Sequence, residues 1–187
     1  MRRLTLPILA FLSIISPARA DWFKLQPQTP DPNSIVTSLG MFNSFDGESS
    51  QRPSEIRFEL RMNEFPIWHF HPWAGIEAVS EIGPVGWYGG GLETDIDLWS
   101  DKLVLNLQTG MGYFDDGHQP VPGWQYLPKS GFDFRHTAEL GYRIGDQGWR
   151  VGLGISHMSN GGISGGNTST QTYTLAVHMP IDKISKN

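Results

Sequence analysis

The stretch Ser54-Glu55-Ile56-Arg57-Phe58-Glu59-Leu60-Arg61-Met62-Asn63 decides how this chain folds. Its apolar residues, Ile56, Phe58, Leu60 and Met62, alternate with Glu55, Arg57, Glu59 and Arg61. A period of two puts the charges on one face and the oily side chains on the other, which is a strand. Helical spacing would scatter the charges around a circumference. The alternation recurs in both directions. Ile35, Thr37, Leu39 and Met41 share a face before it. After it, Ala74, Ile76, Ala78 and Ile82 lie opposite Glu77 and Glu81, and a Gly-rich run around Trp87 to Asp97 follows with the weakest parity. Leu103, Leu105 and Leu107 come next, then Ala138, Leu140, Tyr142 and Ile144 against Thr137, Glu139 and Arg143. Val151, Leu153 and Ile155 alternate with Arg150, Gly152 and Gly154, and Tyr173, Leu175, Val177 and Met179 close the series. Turn signals such as Asp46-Gly47, Gly83-Pro84, Pro122-Gly123 and Gly145-Asp146 separate these segments. Eight strands predict an all-β, eight-stranded antiparallel barrel, the smallest common barrel without exposed edges.

Composition narrows what such a barrel can be. The chain has 187 residues, no cysteine and a formal net charge of −5, with a mean hydropathy of −0.30. Lack of cysteine excludes a disulfide scaffold, a thiol nucleophile and a thiolate metal site. An acidic balance argues against nucleic acid, whose phosphates call for clustered Lys and Arg. Low hydropathy excludes a bundle of transmembrane helices but not a membrane barrel, whose strands average to near neutrality.

Residues 1–20 read as a secretory signal peptide. Arg2 and Arg3 supply the positive start, Leu4 to Ile15 the apolar run, and Ala18-Arg19-Ala20 the small-x-small cleavage pattern before Asp21. The run is shorter than the roughly 20 residues of a spanning helix. Its removal takes away three arginines and no acid, moving the net charge from −5 to −8. Residues 21–187 then form the single barrel domain.

Parity alone does not say which face looks inward. In a soluble, lipocalin-like barrel the apolar face lines a ligand pocket. In an outer-membrane barrel it meets lipid, and the polar face fills the interior. The alternating signs of Glu55, Arg57, Glu59 and Arg61 suit an ion-paired interior joined by Glu77, Glu139 and Arg143. Trp68, Trp73, Trp99, Trp149 and Tyr113 fall near strand ends, where interfacial belts form. Glycines 110, 112, 141, 152 and 154 crowd the polar face, as a narrow filled lumen requires. These features select the transmembrane barrel. With both termini periplasmic, the long connections at Phe114 to Gly131 and Asn160 to Asn167 face outward, and the turn at Gly145-Asp146-Gln147 faces inward.

Of six histidines, His69 and His71 sit in an aromatic connection without an acidic cluster beside them, which reads as a periplasmic turn rather than a metal site. His118 lies in a loop, and His136 and His178 stand on strands without a flanking nucleophile. His157 differs. It and Ser159 continue the outward row Val151, Leu153, Ile155 at the outer end of the barrel, roughly 6.5 to 7 Å apart at the backbone. Imidazole can there take the proton of the Ser159 hydroxyl. Asn160-Gly161-Gly162 follows with a side-chain amide and unhindered N–H groups that suit an oxyanion. The spacing fits equally a strand end emerging among lipid headgroups.

The stretch from Gly148 to Ile181 resembles the lipid A 3-O-deacylases of the outer membrane, the PagL family. That family is an eight-stranded barrel with a His-x-Ser-Asn motif and a downstream Glu, acting as a triad on the lipid-facing surface. The motif matches as His157, Ser159 and Asn160, followed by a Gly-rich loop with Asn167. The family's acid aligns with Gln171, an outward residue by parity, which can orient the imidazole but brings no negative charge. Asp115 or Asp116 is an alternative acid, whereas Glu139 belongs to the lumen. The resemblance implies an outer-membrane serine esterase that removes an ester-linked acyl chain, most plausibly at the 3-O position, from lipid A of lipopolysaccharide. Ser159 would be nucleophile, His157 base, Gln171 orienter, Asn160 and Gly162 oxyanion donors, and Asn167 a loop-shaping residue. No metal or cofactor is required, and the partners are lipid A and the outer membrane, with room for a homodimer. The alternative is a non-catalytic barrel that binds lipopolysaccharide or a partner through a decayed esterase site.

Overall fold

The computed structural model describes residues 23–24, 31–42, 53–80, 85–98, 100–115, 130–163 and 169–181. The strands are β1 (Phe23–Lys24), β2 (Ser34–Met41), β3 (Ser54–Arg61), β4 (His71–Val79), β5 (Val85–Leu98), β6 (Leu103–Asp115), β7 (Gly131–Ile144), β8 (Trp149–Ser159) and β9 (Ser169–Pro180). From β2 to β9 each pairs antiparallel with the next, and β9 returns to pair with β2, Val177 opposite Thr37. The result is a closed eight-stranded barrel. β1 adds two residues beside Asp97 and Leu98 of β5. Residues 1–20, expected as a leader, and most of the long connections after Phe114 and Asn160 lie outside the described residues.

Burial settles the inside–outside question. Leu153 is 68% exposed and Leu175 56%, whereas Arg61 is 2% and Glu55 1%. Oily rows face out and charged rows face in, the arrangement of a barrel whose solvent is hydrocarbon. A buried charge is tolerated only when paired and hydrogen-bonded, and the lumen arginines are paired in this way, whereas the buried carboxylate of Asp133 has no hydrogen-bond partner among the described residues. Arg61 contacts Glu93 at 3.0 Å, Glu59 at 3.1 Å and Glu139 at 3.6 Å. Arg57 pairs with Glu55 and, at 3.0 Å, with Glu77, and donates to Ser156 Oγ at 2.7 Å. Arg150 pairs with Asp95 at 2.9 Å, and His178 Nε2 lies 2.7 Å from Glu139 Oε1. Several glycines in this wall make room for a neighbour's long side chain: a Cβ on Gly141 would sit 2.7 Å from Arg150 Cδ, and one on Gly152 2.6 Å from the Glu139 carboxyl carbon. The filled lumen is a plug, not a channel.

Two expectations need correction. Trp73 does not join an interfacial belt. It lies on the inward parity of β4 and is 2% exposed, stacked 5.9 Å from Trp87, with the Arg135 guanidinium 4.6 Å from its ring and 4.3 Å from that of Trp87. The barrel interior is also not purely polar. Phe42 on the first barrel strand's exit and Phe114 on the fifth meet as stacked rings 6.3 Å apart, and with Val79, Trp87 and Met158 they form an apolar plug inside the barrel. Trp99 lies outside the described residues. An exposed aromatic row does exist, formed by Tyr88, Tyr113 and Phe132, with centroids 5.8 and 6.1 Å apart on three successive strands.

β6 and β7 are longer than the alternation indicated: β6 runs on past Gln108 to Asp115, and β7 starts at Gly131, well before Thr137. The reason is steric. Gly110 and Gly112 replace the polar half of the pattern, because a Cβ at either would run into Trp73 or Trp87. The four-residue turn between β7 and β8, with Gly145 and Gly148 at φ +62° and +85°, is tight as expected and opens β8 toward the site.

Candidate active site

β8 delivers His157 and Ser159 to the outer surface because both share the parity of Leu153 and Ile155. The β8–β9 register then sets Gln171 directly opposite His157 and Ser169 opposite Ser159. Gln171 Nε2 lies 3.2 Å from His157 Nδ1. Since an amide nitrogen can only donate, Nδ1 accepts in this arrangement and the ring proton sits on Nε2. Turning the amide over presents its oxygen instead, which holds the proton on Nδ1 and frees Nε2 to act as a base. Ser159 and His157 are not hydrogen-bonded to one another among the described residues. Catalytic contacts of this kind often close only around substrate.

Asn160 turns inward and is 1% exposed. Its carbonyl accepts from Ile163 N at 3.0 Å, and its side-chain Oδ1 accepts from Gly162 N at 2.8 Å. Gly161 and Gly162, at φ +59° and +83°, occupy the two left-handed positions of a type I′ turn, where a side chain would be strained. The Gly162 N–H, expected as an oxyanion donor, here closes the turn that ends β8. Asn167 and Asp116 lie outside the described residues. Asp115 is six residues beyond the level of the site along β6, about 20 Å at the rise of a strand, so it does not reach His157. Glu139 is in the lumen, held by His178 and Arg61 as the parity argument required.

The structure also brings in two residues that the sequence reading did not select. Thr109 on β6 is opposite His136 on β7, His136 is opposite His157 on β8, and His157 is opposite Gln171 on β9. This is a continuous polar row across four strands on the apolar face. Thr109 Oγ1 and His136 Nδ1 are 3.0 Å apart. The row is bounded on one side by Leu107, Ala138, Ile155 and Tyr173, and on the other by Met111, Phe134, Ser159 and Ser169. A shallow depression of about 370 Å³ opens beside it, with walls from Leu107, Ala138 and Ile155 and a rim carrying His136, His157 and Gln171. Polar side chains on a hydrocarbon-facing surface are expensive and mark function by default. The arrangement can hold an acyl chain against its apolar wall and present an ester to Ser159.

The model of the family described as lipid A 3-O-deacylase (PagL) matches residues 58–180, a span containing every residue of the polar row and of the β8 motif. Among solved structures, the outer membrane enzyme PagL is similar with 18% identity and a TM-score of 0.56, over 79% of this chain and 99% of that one. Neisserial surface protein A (NspA) is similar with 9% identity and a TM-score of 0.56, over 80% and 97%. At these identities the structural likeness speaks to the fold. No curated protein sequence matches.

Proposed function

The chain belongs to the lipid A 3-O-deacylase (PagL) family, and on that premise we propose that this outer-membrane barrel is a serine esterase removing the 3-O-linked acyl chain of lipid A. The observation that carries the reading is the outward cluster of His157, Ser159 and Gln171 beside an apolar depression on the lipid-facing wall. A substrate already in the outer leaflet reaches such a site laterally, so no deep pocket is needed.

In the proposed reaction, Ser159 Oγ attacks the ester carbonyl carbon as His157 Nε2 takes its proton. The resulting tetrahedral centre then expels the sugar alkoxide, which receives that proton from His157. Water, deprotonated by His157, attacks the acyl-enzyme and releases the fatty acid and free Ser159. Gln171, with its oxygen turned to Nδ1–H, sets the tautomer for this work. Asn160, Gly161 and Gly162 build the turn that holds Ser159 in place, and Asn167 would shape the loop beyond. Residues 1–20 would be cleaved on export, leaving Asp21 first.

Gln171 also supports a second reading, a barrel that retains lipopolysaccharide binding but has lost turnover with its acid. Mass spectrometry of lipid A from cells making the wild-type protein or Ser159→Ala separates the two. The esterase reading expects lipid A lighter by one hydroxyacyl chain in the wild type alone. Identical lipid A in both strains, with both barrels folded in the membrane, removes it.

A further inference from the structure

We propose that His136 is a further residue of this active site: a neutral hydrogen-bond donor, set by Thr109, that binds the oxyanion formed when Ser159 attacks the acyl ester. The inference rests on the esterase reading of Ser159 and adds to it a further donor to the developing charge, on the β7 side of the serine.

Three observations lead there. His136 is the direct cross-strand partner of His157, and both stand on the rim of the depression that also touches Gln171. It is exposed on the hydrocarbon side, between Phe134 and Ala138 along β7, where an imidazole is costly unless it has a polar task. Its Nδ1 is held at 3.0 Å by the Thr109 hydroxyl. When that hydroxyl donates, Nδ1 is an acceptor, the proton is fixed on Nε2, and Nε2–H is left as a neutral donor.

The reach is adequate. Ser159 is opposite Phe134, two residues from His136, so His136 and Ser159 are diagonal neighbours roughly 7–8 Å apart at the backbone. Imidazole spans most of that gap, and the tetrahedral centre on Oγ closes the rest. An acyl chain lying against Leu107, Ala138 and Ile155 crosses the row of His136 and His157 to bring its carbonyl to Ser159. His136 forms and breaks no covalent bond; its N–H···O bond strengthens as the oxygen takes up charge, which is why its effect belongs in kcat.

The test is steady-state hydrolysis of p-nitrophenyl decanoate by the full-length protein folded in detergent micelles, with Ser159→Ala as the reference for specific turnover. His136→Ala is expected to lower kcat roughly 100-fold, as loss of one oxyanion donor does, with KM changed less than about twofold. His136→Gln, which keeps an N–H donor, should restore about a tenth of the wild-type rate or more. Thr109→Val should cost several-fold alone and nothing further in the His136→Ala background, the non-additivity of residues acting as a unit. If Ser159-dependent turnover is present and folded His136→Ala keeps kcat within twofold, or loses only in KM, the oxyanion role is refuted while the esterase reading stands. If the wild type shows no turnover above Ser159→Ala, both fall together.

Discussion

Replacing Gln171 by glutamate asks whether the missing charge limits this enzyme. The amide nitrogen is 3.2 Å from His157 Nδ1, so a carboxylate there would have its charge about 4 Å from that of the imidazolium, where attraction at an effective dielectric of 20 is about 4 kcal/mol. Part of this is lost to removing the new carboxylate from water at a half-buried site facing lipid. With about half remaining, the transition state gains roughly 1.5–3 kcal/mol, or about 10- to 100-fold in rate. A second effect has the same sign. Glutamate can only accept, so Nδ1 must carry the proton and Nε2 becomes the base, whereas the amide as placed favours the opposite tautomer. The loss of about 10⁴ in a serine protease whose triad aspartate became asparagine sets the ceiling for both effects together. The assay is release of fatty acid from lipid A in mixed micelles by purified, folded wild type, Gln171→Glu and Gln171→Ala. The reasoning requires Gln171→Glu to be fastest and Gln171→Ala slowest. Equal rates for all three folded proteins would show that the residue opposite His157 does not serve it, and would refute the argument.

Glu139→Gln is expected to destabilise the barrel by about 3–5 kcal/mol, because Arg61, Arg150 and His178 lose a buried partner; refolding yield and urea titration in micelles should show this while the folded fraction keeps its kcat. Leu153→Arg places a charge on the mid-strand hydrocarbon face and should cost about 2–4 kcal/mol of folding free energy in bilayers. A lumen-facing Leu153 would instead give a protein whose stability is indifferent to lipid. Intact-mass measurement of the protein recovered from outer membranes should give a chain beginning at Asp21; a mass retaining Arg2, Arg3 and Arg19 would contradict cleavage after Ala20.

What the sequence disclosed, and what it concealed, follows from how side chains share the barrel wall. Glu55, Arg57, Glu59 and Arg61 revealed the fold because their pairing partners are equally polar and the lipid-side residues between them are uniformly oily. His157, Ser159 and Gln171 were legible by parity from Ile155 and Tyr173, and the register confirms that they share a face. Trp73 was misplaced because an aromatic near a strand end looks the same whether it faces a membrane interface or stacks on a guanidinium inside. Thr109 was passed over because it stands one residue beyond the strand that the alternation defined, just where glycines make way for Trp73 and Trp87 and erase the polar half of the pattern on β6. His136 was placed on a strand but set aside because its sequence neighbours hold no nucleophile. Their partnership depends on the β6–β7 register, which spans a long connection and is set by the closure of the whole sheet. The commitment of Gly162 N–H to Asn160 is likewise a property of turn geometry that spacing does not express.

The account stands on a serine made nucleophilic by its histidine at the surface that faces lipid. The most direct measurement is labelling by a long-chain fluorophosphonate of the protein reconstituted in bilayers, followed by tryptic mapping. The account predicts a single adduct on the peptide from Val151 to Lys183, localised to Ser159 by fragmentation and lost in His157→Ala. An adduct on another residue, or equal labelling of the folded His157→Ala protein, would contradict it.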